Sequence, residues 1–93
     1  MYNDLRSDHA DRVIARLRPL SLAACSQPLT VAAWRTVPST YVLCENDQAF
    51  PDGVQEFFAA RAKDVRRLPS SHSPFFSLPS ELTELIVEAA ASA

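Results

Sequence analysis

Two short polar stretches hold the side chains best suited to chemistry, Glu45-Asn46-Asp47 and, further along, Ser70-Ser71-His72-Ser73. A carboxylate that accepts a hydrogen bond from one imidazole nitrogen fixes the tautomer and stabilises the cation. The other nitrogen is then free to take a proton from a hydroxyl. Asp47 and His72 are therefore the candidate acid and general base, two parts of a three-part nucleophilic site. Glu45 competes for the acid position, and Asn46 and Asp47 ahead of Pro51 also suit a turn or a helix cap. On its own, a histidine in a serine-rich loop is more often solvated or structurally bonded. Ser71 and Ser73 flank it, yet sequence neighbours rarely reach the required geometry, and neither sits on a strained turn that would present a nucleophile.

Other chemistries find little support. His9, Cys25, Cys44 and His72 lack the spacing of metal ligands, so no metal and no cofactor is expected. Two cysteines are too few for a disulfide scaffold, and each reads as a buried thiol. Arg61, Lys63, Arg66 and Arg67 are interrupted by Asp64 and sit near a helix end, which suits a solvated face better than a phosphate grip. Phe57 and Phe58 read as core, whereas Phe75 and Phe76, just past His72, are candidates to line a site. The formal charge of -2 offers no general attraction to nucleic acid or anionic membranes. The chain has no apolar run of bilayer length, and Met1-Tyr2-Asn3-Asp4 does not open a signal peptide, so a cytoplasmic location is expected.

These side chains need elements to carry them. The 93 residues, 47% hydrophobic and 22% charged, amount to at most one small folded unit. Seven prolines and the single Gly53 do the punctuating. From Ser7 the spacing of Ala10, Val13, Ile14 and Leu17 predicts an amphipathic helix, with Ser7 or Asp8 as N-cap. A shorter helix is expected over 20–26, and the stretch to Trp34 is ambiguous between helix and loop. Ser39-Thr40-Tyr41-Val42-Leu43-Cys44 shows no polar alternation and predicts a strand covered on both faces, as in a parallel sheet. Pro51 should open a helix to about Ala62 whose face Val54, Phe57, Phe58 and Ala62 packs on that strand. A second strand over 65–68, the polar loop 69–74 and a helix from Pro79 bearing Leu82, Leu85, Ile86, Ala89 and Ala90 complete the order.

A strand, helix, strand order predicts an α/β fold with a parallel crossover, and ligands in such sheets collect at the carboxyl ends of the strands. Both polar stretches fall there. Two parallel strands do not make a stable sheet, and the doubly apolar strand 39–44 asks for another strand beside it.

The run from Trp34 to Pro51, Trp-Arg-Thr-Val-Pro-Ser-Thr-Tyr-Val-Leu-Cys-Glu-Asn-Asp-Gln-Ala-Phe-Pro, followed by Leu68-Pro-Ser-Ser-His-Ser-Pro-Phe-Phe-Ser77, resembles the C-terminal part of α/β-hydrolase fold proteins. The similarity is to the esterase and hydroxynitrile-lyase-like branch. It implies a partial α/β-hydrolase fold with residues 34–93 as the C-terminal part of the core, and residues 1–33 as a helical remnant of the lid. It also implies Asp47 as triad acid and His72 as general base, in a family that hydrolyses carboxylic ester-type small molecules. The chain departs from the pattern in one large respect. The family's serine sits on a Gly-x-Ser-x-Gly turn, and one glycine cannot build it; the oxyanion-hole loop is equally lacking. The expectation is a truncated hydrolase, inactive alone, that takes a small-molecule substrate only when complemented by a missing N-terminal part. The rival expectation is a non-catalytic complementing module that pairs, or self-associates, through an exposed strand edge.

Overall fold

The computed structural model of the chain describes residues 1–92. At its centre β1, Thr40–Cys44, lies parallel to β2, Asp64–Leu68, with Thr40 opposite Asp64 and Cys44 opposite Leu68. The ladder runs past both strand ends. The Glu45 N–H donates to the Leu68 carbonyl at 2.9 Å and the Asn46 N–H to the Ser70 carbonyl at 2.9 Å. Register is thus carried from the sheet into the two polar loops, which fixes them side by side.

The odd-numbered residues of β1 face β2, as the bonds from Asp64 N–H to the Ser39 carbonyl and from Glu45 N–H to the Leu68 carbonyl show. Backbone groups alternate along a strand, so Thr40, Val42 and Cys44 turn theirs to the opposite edge. Among the described residues no strand pairs there. At Cys44 the edge is closed by a side chain: its N–H donates to Gln55 Oε1 at 2.8 Å, and its carbonyl accepts from Gln55 Nε2 at 2.7 Å. One primary amide takes the place of a neighbouring strand.

That bridge overturns the expected packing of α3, Asp52–Ala59. Buried Gln55 and Ala59 face β1, while Val54, Phe57 and Phe58 are exposed, Phe57 by 59%. The expectation that Phe57 and Phe58 belong to the core is wrong. Hydrophobic periodicity selects the widest apolar arc, but an unmet N–H and C=O at the end of β1 outweigh it, and the small Ala59 permits close approach. The helix also stops before Ala62. Its last turns tighten to bonds from Arg61 N–H to the Phe58 carbonyl and from Ala62 N–H to the Ala59 carbonyl.

Helix α1 spans Ser7–Ile14, short of Leu17, and only Val13 is buried. Neither Ser7 nor Asp8 caps it: Arg6 is the N-cap, without a side-chain hydrogen bond. Helix α2, Leu22–Ser26, is exposed throughout, and the 3-10 turn Ala33–Arg35 settles the ambiguous stretch before β1. Cys25 is exposed, contrary to its reading as a buried thiol, whereas Cys44 is buried, and burial raises its thiol pKa. A turn of helix not expected from the sequence, α4, Pro74–Ser77, follows the histidine loop, with Pro74 free to sit at the first helical position. Helix α5, Pro79–Ala91, packs on β2 through Leu85; Leu82 and Ala89 are half-buried, and Ile86 and Ala90 are exposed.

The buried apolar set is small: Val13, Leu43, Cys44, Ala59, Leu68 and Leu85 among the described residues. The accessible surface is 7171 Å², against about 5,400 Å² for a compact monomer of this mass. The radius of gyration is 14.9 Å, against about 12 Å for a compact chain of this length. The surplus of surface is about twice what one partner buries in a standard protein interface. No helix among the described residues is long and apolar enough to cross a membrane.

Candidate functional site

The site lies where the carboxyl ends of β1 and β2 release their loops. Asp47 is reached through a tight turn, its N–H donating to the Cys44 carbonyl at 3.3 Å. Its side chain curls back on the loop, and Oδ1 accepts from the N–H groups of Ala49 at 2.8 Å and Phe50 at 2.9 Å. The turn-forming role weighed for this residue is therefore present, and it coexists with a second contact. The other oxygen, Oδ2, lies 2.7 Å from His72 Nδ1.

The carboxylate's environment assigns the proton. With Oδ1 bonded to two backbone donors and the carboxyl held ionised, Oδ2 accepts, so Nδ1 carries the hydrogen and Nε2 is the free nitrogen of a neutral ring. The Asp47 side chain is 3% exposed and that of His72 30%, so the acid is buried and the imidazole partly open to solvent. Desolvation by burial pushes the Asp47 carboxyl up, but the Phe50 N–H, the His72 ring and the Ala49 N–H together outweigh it and hold the pKa below the ordinary 3.8. The Phe50 ring stands edge-on to His72, 5.1 Å between centroids. The same ring also lines an apolar cavity of about 620 Å³ together with Trp34, Tyr41, Phe57 and Phe58.

A depressed folded-state carboxyl pKa contributes stability that is complete above the unfolded value and disappears as pH falls through the folded one. Acid unfolding of the chain should therefore steepen below 3.8, and Asp47→Asn should flatten that limb. Identical acid midpoints for the two chains, followed by circular dichroism, would contradict the assignment of Asp47 as a buried anion.

The remaining candidates separate cleanly. Glu45 is exposed and lies 3.9 Å from Arg67, so it does not occupy the acid position. Arg66 pairs with Asp64 and Glu88, and Arg61 stacks over Phe57 while donating to the Phe57 carbonyl, so the basic residues are dispersed on the surface. Phe75 and Phe76 stack on each other, and Phe76 against Tyr2 and His9; the aromatic ring on His72 is Phe50. Ser70, Ser71 and Ser73 are buried, with Ser71 bonded to Asp4. Among the described residues no group of three or more His, Cys, Asp or Glu could hold a metal ion.

Sequence reasoning missed three contributors: Gln55, Phe50 and the Asn3-Asp4 pair. A lone glutamine amid the apolar positions of α3 was a visible signal. Asn3 and Asp4 carried none, because their partners lie far along the chain.

Comparison with known proteins gives a consistent result. The model of the alpha/beta hydrolase family matches residues 1–85. The alpha/beta hydrolase nvfD of Aspergillus novofumigatus (strain IBT 16806) is 36% identical over 96 residues, covering 100% of this chain and 38% of that protein. The probable hydrolase R7 of Phoma sp. (strain ATCC 20986 / MF5453) is 32% identical over 95 residues, covering 95% of this chain and 39% of its own length. The chain thus spans about two-fifths of the length of these relatives. No solved structure matches it.

Proposed function

The chain belongs to the alpha/beta hydrolase family, and from that premise we propose that Asp47 and His72 are the acid and general base of a Ser–Asp–His site acting on carboxylic ester-type small molecules. The observation that carries this reading is the 2.7 Å contact between Asp47 Oδ2 and His72 Nδ1, which leaves Nε2 unengaged by the acid. In such a site Nε2 takes the proton of a serine hydroxyl as the serine oxygen attacks the ester carbonyl. The same proton then passes to the departing alkoxide, and a water repeats the cycle to release the acid. Asp47 holds the ring in register and offsets its transient positive charge.

The serine is not in these 93 residues, since a lone glycine cannot form the Gly-x-Ser-x-Gly turn. Neither neighbouring serine substitutes for it: the Ser71 hydroxyl donates towards Asp4 and the Met1 carbonyl, and the Ser70 hydroxyl to the Ser71 carbonyl. Residues 34–93 accordingly supply the acid and base half of the catalytic core, with residues 1–33 as part of the lid. The 93-residue chain is inactive alone. Offered p-nitrophenyl acetate, wild type and His72→Ala should show the same background rate. Turnover present in wild type and lost in the variant would establish a complete site and overturn the claim of inactivity.

A second reading rests on the free edge of β1 and the surplus surface. Here the chain is a complementing module, and its partner is an extended strand from the part of a family chain that these residues do not contain. Thr40 and Val42 offer that strand backbone groups, and Trp34, Tyr41, Phe57 and Phe58 offer its side chains an apolar bed. Sedimentation of the same sample discriminates. A sticky or dye-binding monomer that captures such a segment supports this partner, a discrete dimer assigns the edge to a second copy, and a compact monomer that binds no dye rejects the reading.

A further inference from the structure

Resting on the assignment of Asp47 and His72 as an acid and base pair, we propose that the turn at Tyr2–Leu5 is a clamp that holds the two loops in register, with Asp4 as the positioning residue for His72. The turn is closed by the Leu5 N–H donating to the Tyr2 carbonyl at 3.2 Å. From it, two adjacent side chains reach the two loops. Asn3 Nδ2 donates to the carbonyl of Asn46, the residue before Asp47, at 3.0 Å. Asp4 accepts twice from Ser71, the residue before His72: Oδ2 from the backbone N–H at 2.8 Å and Oδ1 from the hydroxyl at 2.5 Å. The Ser71 hydroxyl is shared with the Met1 carbonyl at 2.8 Å. Asn46 and Ser70 are joined by their own backbone bond at 2.9 Å, which closes a ring from Asn3 through Asn46, Ser70 and Ser71 to Asp4.

Every bond of this ring falls one or two residues from a member of the pair. Ser71 is fully buried, so its N–H and hydroxyl need acceptors, and an ionised carboxylate that takes both from one side chain fixes backbone as well as rotamer. Burial pushes Asp4 up, but the bonds from the Ser71 hydroxyl and N–H outweigh it and keep the carboxyl below its ordinary value. The Ser77 hydroxyl, buried and without another partner, lies close enough to favour the same anion. With both carboxylate oxygens committed to Ser71, Asp4 is placed to hold the loop that carries His72.

The clamp is read through the Nδ1 proton of His72, which gives a low-field resonance in NMR when it is held against a carboxylate and shielded from exchange. The full chain should show this signal, and Asp47→Asn should remove it. Asp4→Ala should speed exchange of the Nδ1 proton by roughly tenfold or more, the loss expected for charge-assisted bonds, while the amide resonances of β1 and β2 keep their positions. Should Asp4→Ala unfold the chain, Asp4→Asn decides: retaining a carbonyl acceptor, it should give exchange between the two. A resonance whose exchange is unchanged in Asp4→Ala, or in Asp4→Asn where Asp4→Ala unfolds, overturns the clamp and leaves the pair standing. A wild-type chain without the resonance overturns the pair itself and the clamp with it.

Discussion

Joined to the part of the nvfD hydrolase with which it does not align, the chain is expected to form an assembly that hydrolyses an activated ester, and His72→Ala is expected to lower the kcat of that assembly by about 10⁶. The size follows from the role. With no imidazole within reach of the serine, the hydroxyl must attack undeprotonated, and the carboxylate below it has nothing to orient. Asp47→Asn should cost less, about 10⁴. The asparagine carbonyl can still accept from the Ala49 and Phe50 N–H groups, so the loop keeps its shape. Its amide would then face His72 Nδ1 and oblige that nitrogen to accept, moving the ring proton to Nε2, where it blocks the serine. Measured kcat values for the three assemblies on p-nitrophenyl acetate check the ranking. Equal rates in wild type and His72→Ala would remove the imidazole from the mechanism.

Gln55→Leu should damage the fold strongly, lowering stability by about 2–4 kcal/mol. Leucine is of comparable size and helix propensity, so the loss comes mainly from the two hydrogen bonds to Cys44. Gln55 is 2% exposed and Cys44 is buried, so water cannot replace the amide: the Cys44 N–H is left without an acceptor, at a penalty of about 1–3 kcal/mol, and its carbonyl keeps only the longer bond from the Asp47 N–H. Gln55→Glu should fall between: its carboxylate accepts from the Cys44 N–H but has no hydrogen for the Cys44 carbonyl. Urea midpoints of the three chains at pH 7 test the order. A leucine variant as stable as wild type would mean that the edge of β1 at Cys44 is solvated or paired in another way.

Both expectations depend on features that differ in how legible they are from the residues alone. The strand 39–44 stands out because it is rich in β-formers and shows no polar alternation, and β1 falls within one residue of that reading. The pairing of Asp47 with His72 is also legible, since parallel strands deliver their following loops to one end of a sheet. The face of α3 was not. Val54, Phe57 and Phe58 form the more hydrophobic arc, and only the demand of the Cys44 backbone turns Gln55 inward. The end of α1 was misjudged for a related reason: Leu17 continues the apolar period, but it is left 59% exposed. Periodicity reports where a helix would bury itself given a partner.

What the amino-acid order determined by itself is local and chemical: two strands, the helices between and after them, an acid and an imidazole on their carboxyl-end loops, and no glycine-framed serine. Those follow from side-chain shape, from proline and glycine geometry and from spacing within a few residues. Only the tertiary structure decided that Oδ1 of Asp47 is spent on its own loop while Oδ2 meets His72, that a glutamine closes a strand edge, and that Asn3 and Asp4 reach across to the residues preceding the pair. These contacts join positions far apart in the chain. Their partners are selected by which backbone groups folding leaves without water, and a linear pattern of residue types does not record that.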